Sequence, residues 1–312
     1  MKSPSASILA ARCLEQESAQ LGTALRRAHD ALDAPRPGSP LAADILTIES
    51  RPRRQRGHLH SVLAWGRYSA AVIAVSTAQM LAGVGRMLTE QAMLPLPAFA
   101  LGRSVHEAAL QLCSLTDPKI STHERLARCA AQLIRDTHSA RSVLQLFPSS
   151  TVNGDLSRVD AARREAQRLL RDGGFVLNFG KASPSGDPKS VSLEDGPIAN
   201  VSLKMTELAQ RYTPGEERMY AVNSGASHLH PWFLQGVEGD PATLVTSALF
   251  PLLDCADAVA ANVMTYIGED PSAMHNKTHL RRMALLRQSR GEGSGHVADW
   301  AEYAAKRMRE GR

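Results

Sequence analysis

The sequence predicts an all-α protein: a multi-helix bundle of about eight to ten helices with one small irregular or hairpin insertion near residues 175–200. Three observations predict it. Aromatic residues make up 4% of the chain and β-branched residues are sparse beside alanine and leucine, a composition that favours helix over sheet. Apolar residues recur at three- and four-residue spacing through most of the chain. Proline- and glycine-bearing breaks separate these periodic stretches. With 43% hydrophobic residues over 312 positions, the chain can bury a sizeable core.

Residues 5–33 form the first expected helix, with Ile8, Leu9, Cys13, Leu14, Leu21 and Leu25 on one stripe. Pro35, Pro37 and Pro40 end it in a linker. A short apolar piece follows over 41–48. Arg51, Arg53, Arg54 and Arg56 then lead into a long helix over 58–94, which Pro95 and Pro97 break. The next helix covers 98–115, with Phe99, Val105, Leu110 and Leu112 as core candidates. Ser121 or Thr122 caps a helix reaching residue 146, and Asp155 or Ser157 caps another that ends at Gly173 and Gly174.

Residues 175–179 and 191–193 read as two short strands of a surface excursion. Helices return over 201–212, 216–229, 241–267, 271–290 and 296–309. The expected organisation is an N-terminal helix and linker (1–40), a main bundle (41–268) and a basic C-terminal helical extension (269–312).

Residues 68–85 carry no charge, but their alanine, serine and glycine content is weak for a membrane span of about 20 residues. They are expected to form a buried central helix, with no membrane partner. The N-terminal residues lack the apolar run of a secretory signal. Cys13, Cys113, Cys129 and Cys255 form no C-x-x-C pair and fall in apolar helical patterns, as reduced thiols of a cytoplasmic protein would. The net charge of +5 is mild for this length and makes only a weak case for an anionic partner.

Several motifs fail. Five residues separate Gly174 from Gly180, where a phosphate loop has four, and Lys181 is followed by alanine. His275 and His279 stand four apart without the glutamate of a zinc helix. Asp254 and Asp257 lack a Glu-x-x-His partner helix. No metal or cofactor is expected.

Two spacings survive: Arg103-x-x-x-Glu107, and Tyr220-x-x-x-Ser224-x-x-x-His228, each on one helical face. In these motifs, and in their order over residues 58–268, the chain resembles a bacterial, chiefly actinobacterial, helical domain family of unknown function. That family in turn is loosely similar to HEPN-type helical bundles, some of which cleave RNA without metal. The resemblance implies an RNA-directed or phosphodiesterase-like activity of the toxin or defence class. His228 would be the base, and Arg103 and Tyr220 would stabilise charge, the arginine acting from a second helix. Arg51, Arg53, Arg54, Arg56, Arg281 and Arg282 would supply phosphate contacts. A second reading makes the chain a non-catalytic helical regulator or protein-interaction module, with Arg103, Glu107, Tyr220, Ser224 and His228 as a buried polar network. The expected partners are RNA or another protein, and a homodimer is compatible with either reading.

Overall fold

The computed structural model describes residues 6–89, 95–180, 186–194, 196–216 and 241–290. Nine helices and three short strands lie among them, the all-α bundle with a small insertion that composition and spacing predict. The helices are α1 (Ala6–Asp30), α2 (Pro40–Glu49), α3 (Arg53–Thr89), α4 (Pro95–Leu115), α5 (Thr122–Leu144), α6 (Ser149–Asp172), α7 (Met205–Tyr212), α8 (Pro241–Tyr266) and α9 (Ser272–Arg290).

Helix starts follow local chemistry. The Ser39 hydroxyl accepts from the Ala42 amide at 3.1 Å, and Pro40 opens α2 where no backbone donor is needed. Ser121, rather than Thr122, caps α5, accepting from the Glu124 amide at 3.2 Å. Three starts lie earlier than the apolar pattern suggests. Arg53, Arg54 and Arg56 are themselves in the first turn of α3. Pro95 and Pro97 sit in the first turn of α4, where proline is tolerated. Helix α6 begins at Ser149 after Pro148, not at Asp155 or Ser157.

Helix α3 is the spine, about 55 Å long at 1.5 Å per residue. Helices α1, α4, α5 and α6 all pack on it, while α8 packs on α1 and α4. Close approach is built in at Gly66: a Cβ there would lie 2.2 Å from the Cys129 sulfur on α5. The uncharged stretch of α3 is not buried all round as expected. Ala70, Ala74 and Thr77 face the core, but Tyr68, Val72 and Val75 are exposed, because the helix has neighbours on some sides only. By length and composition this helix could cross a membrane, and 33% of its most apolar stretch is buried.

The core has two parts. The larger joins the C-terminal half of α1, the first half of α3, α5, α6 and the end of α8. The smaller joins the start of α1, the end of α3, α4, the middle of α8 and α9. Gly174, at φ 87°, turns the chain out of α6 into an antiparallel sheet, β1 (Phe175–Asn178), β2 (Ser190–Leu193) and β3 (Ala199–Asn200). Phe175 stands opposite Leu193, and Val191 opposite Ala199. These four side chains belong to the larger core, and β2 packs on α5. The insertion is therefore a docked three-stranded meander rather than a surface excursion: its apolar side chains turn onto the helices, β1 against α6 and β2 and β3 against α5.

Candidate functional site

Of the five residues proposed from sequence as a site, Arg103 and Glu107 are on described helix. Arg103 Nε donates to Glu107 Oε1 at 2.8 Å, one turn along α4. Their side chains are 21% and 35% exposed, so the pair borders the surface rather than the core. Tyr220, Ser224 and His228 lie outside the described residues. A buried polar side chain next to the pair is His106, whose Nε2 lies 3.0 Å from the Thr213 hydroxyl beyond α7.

Most of the proposed phosphate-binding arginines already meet carboxylates. Arg51 pairs with Glu194, and Arg56 lies 3.4 Å from Glu49. Arg281 donates to Glu17 at 2.6 Å, and Arg282 pairs with Asp254. Arg53 and Arg54 are exposed. Among the described residues no group of three or more His, Cys, Asp or Glu is placed to hold a metal ion.

The structure brings together two groups that sequence reasoning passed over. The first is a buried ionic cluster. Asp44, the lone acid on the apolar face of α2, accepts from Arg125 Nε through both oxygens, at 3.1 and 2.8 Å. The Tyr266 hydroxyl donates to the same carboxylate at 2.9 Å. The remaining Arg125 nitrogens donate to the Asp117 and Ile120 carbonyls. The side chains of Arg125 and Asp44 are 3% and 0% exposed, so α2, α5 and α8 are tied at one point deep in the bundle.

The second, beside that cluster, is an apolar cavity of about 170 Å³. Six helices converge on it. The end of α1 supplies Leu25 and Ala28, α2 Leu41, α3 the run from Leu63 to Val75, α4 Leu112, α5 Cys129 and α8 Val263 with Tyr266. Its inner walls are buried, while His29, Ala71 and Val75 are exposed at its margin. No carboxylate lines it. Arg67 does, and Arg67 Nε and Nη2 are enclosed with no hydrogen-bond partner among the described residues.

The buried thiol and phenol of this cavity are poor catalysts. Burial, with the Asp44 charge adding to it, pushes the Cys129 thiol up to about 12. Burial and Asp44 likewise raise the Tyr266 phenol well above its ordinary value. A general acid or base works best with a pKa near the operating pH, and a nucleophilic thiol must ionise. The arrangement suits holding an apolar group rather than transforming one. No protein-family model, curated protein or solved structure matches the chain.

Proposed function

We propose that this protein is a non-catalytic, cytoplasmic helical regulator whose bundle centre receives a small, largely apolar ligand. The cavity between α1, α3, α5 and α8 carries the reading. Its volume of about 170 Å³ is of the size of apolar cavities that stay dry and bind benzene-sized molecules. A ligand there touches six helices at once, so occupancy shifts the equilibrium between bundle conformations wherever it binds one better. The four buried, unpaired cysteines suit a reducing compartment.

The test is a methyl NMR titration of the full chain with benzene. Saturable shifts confined to the lining methyls, those of Leu25, Leu41, Leu63, Leu112 and Val263 among them, are expected, and Ala70→Phe, which fills the space, removes them. Absence of saturable shifts in the wild type refutes the reading.

A second reading is HEPN-type RNA cleavage, with RNA as partner, His228 as base and Arg103 and Tyr220 stabilising charge. It is favoured by the position of Arg103 near the surface of α4, beside Glu107. Its test is RNA turnover by the full chain. Turnover lost in His228→Ala at unchanged melting temperature supports it, and absence of turnover in the wild type sinks it.

A further inference from the structure

We infer that the ligand of the α1–α3–α8 cavity carries a single carboxylate, and that Arg67 is its anchor. This rests on the reading of the cavity as a ligand site and adds the ligand's chemical class.

The first ground is the contrast between Arg67 and the other arginines that reach into the fold. Arg125 has Asp44, Arg128 has Glu124, Arg163 has Asp187 and Arg281 has Glu17, while Arg135, without a carboxylate, donates to the Val201 carbonyl and the Gln132 side-chain oxygen. Arg67 Nε and Nη2 are sealed from water and meet no acceptor among the described residues. An enclosed charged donor without an acceptor is a standing cost to the fold, and an entering anion relieves it.

The second ground is the rest of the lining. The Tyr266 hydroxyl is spent on Asp44, and the Thr116 hydroxyl donates to the Leu112 carbonyl. With no carboxylate among the lining residues, no anion in the wall competes for the guanidinium.

Guanidinium geometry supplies the third. Nε–H and the nearer Nη2–H project from one edge of the planar group, the fork that matches the two oxygens of a carboxylate. Two donors fit a monoanion better than a phosphate, which needs more donors to be desolvated. The remaining walls are hydrocarbon, so the rest of the ligand is apolar and about the size of one ring or a short alkyl chain. Engagement requires the Arg67 guanidinium to turn so that Nε and Nη2 face the cavity, and no hydrogen bond among the described residues opposes that at either atom.

Isothermal calorimetry on the full chain tests this with two matched pairs: hexanoate against hexan-1-ol, and benzoate against benzyl alcohol. Wild-type protein is expected to bind each carboxylate at least about tenfold more tightly than its alcohol, as one charge-assisted fork implies. Arg67→Met is expected to bring the ratio close to one while alcohol binding persists. Should Arg67→Met fail to fold by circular dichroism, Arg67→Lys carries the test: it keeps the charge, loses the fork, and is expected to reduce the ratio several-fold. Equal affinity for acid and alcohol in the wild type overturns the carboxylate inference and leaves the apolar cavity standing. Binding of neither overturns both. A preference that survives in Arg67→Met assigns the anion to another group of the lining, such as the His29 side chain, and overturns the role of Arg67.

Discussion

Asp44→Ala removes the acceptor that compensates Arg125 in the middle of the bundle. The wild-type pair has two Arg125 Nε contacts at 3.1 and 2.8 Å and a third hydrogen bond from Tyr266 at 2.9 Å, in a site with almost no exposure. Breaking a buried ion pair from one side costs about 3–5 kcal/mol, because the surviving charge is left without its counter-charge. At about 2–4 °C per kcal/mol for a large domain, the melting temperature falls by roughly 10 °C. Urea denaturation followed by circular dichroism measures the free energy directly through the midpoint at constant slope. A second variant separates charge compensation from packing. In Asp44→Leu with Arg125→Met both charges are gone, and this double variant is expected to be more stable than Asp44→Ala. A loss below about 1 kcal/mol for Asp44→Ala would show that water or another group reaches Arg125, and the assignment of this cluster as the internal tie between α2, α5 and α8 would fail.

Three further outcomes are expected. Gly66→Ala drives a Cβ to 2.2 Å from the Cys129 sulfur, so it destabilises by about 1–3 kcal/mol in urea melts, and adding Cys129→Ala recovers part of the loss. Asp254 is raised to about 8 by burial and by Glu216 beside it, against the lowering pull of Arg282. The folded state then holds a proton on Asp254 that the unfolded state releases, so the contribution of this one group to stability is full below about pH 4 and declines as pH rises towards 8. Asp254→Asn should flatten that decline in pH-dependent melts. Burial pushes the Cys13 thiol to about 11 and those of Cys113 and Cys129 to about 12, so a thiol reagent at pH 8 should label none of these three before unfolding.

Among the described residues helix existence was readable because it rests on the spacing of apolar residues, which burial enforces; the helices expected over 216–229 and 296–309 lie outside them but for Glu216. Helix starts were less so. The first residues of α6, Ser149–Gly154, are polar or small but for Val152 and carry no apolar period, so only the missing donor of Pro148 marks the boundary. Strand β3 is two residues long, too short to alternate, and the docking of the sheet on α5 is a tertiary fact that no local pattern records.

Among side chains, the Arg103–Glu107 pair was legible because an i, i+4 spacing on a helix is itself a geometry. Arg67 and Asp44 were not. In sequence Arg67 merely flanks an uncharged stretch and Asp44 interrupts a short apolar one. Their roles arise from helices far apart in the chain, with 81 positions separating Asp44 from Arg125 and 222 separating it from Tyr266. A lone charge on an otherwise apolar helical face was the available signal, and it applies to both residues.

The most direct test of the central claim is a crystal structure of the full chain exposed to benzene vapour or pressurised xenon. Density is predicted inside the bundle between Leu63, Leu112 and Val263, with Arg67 at its edge. A space filled by protein side chains or by ordered water, with neither probe bound, would contradict a ligand site at the bundle centre.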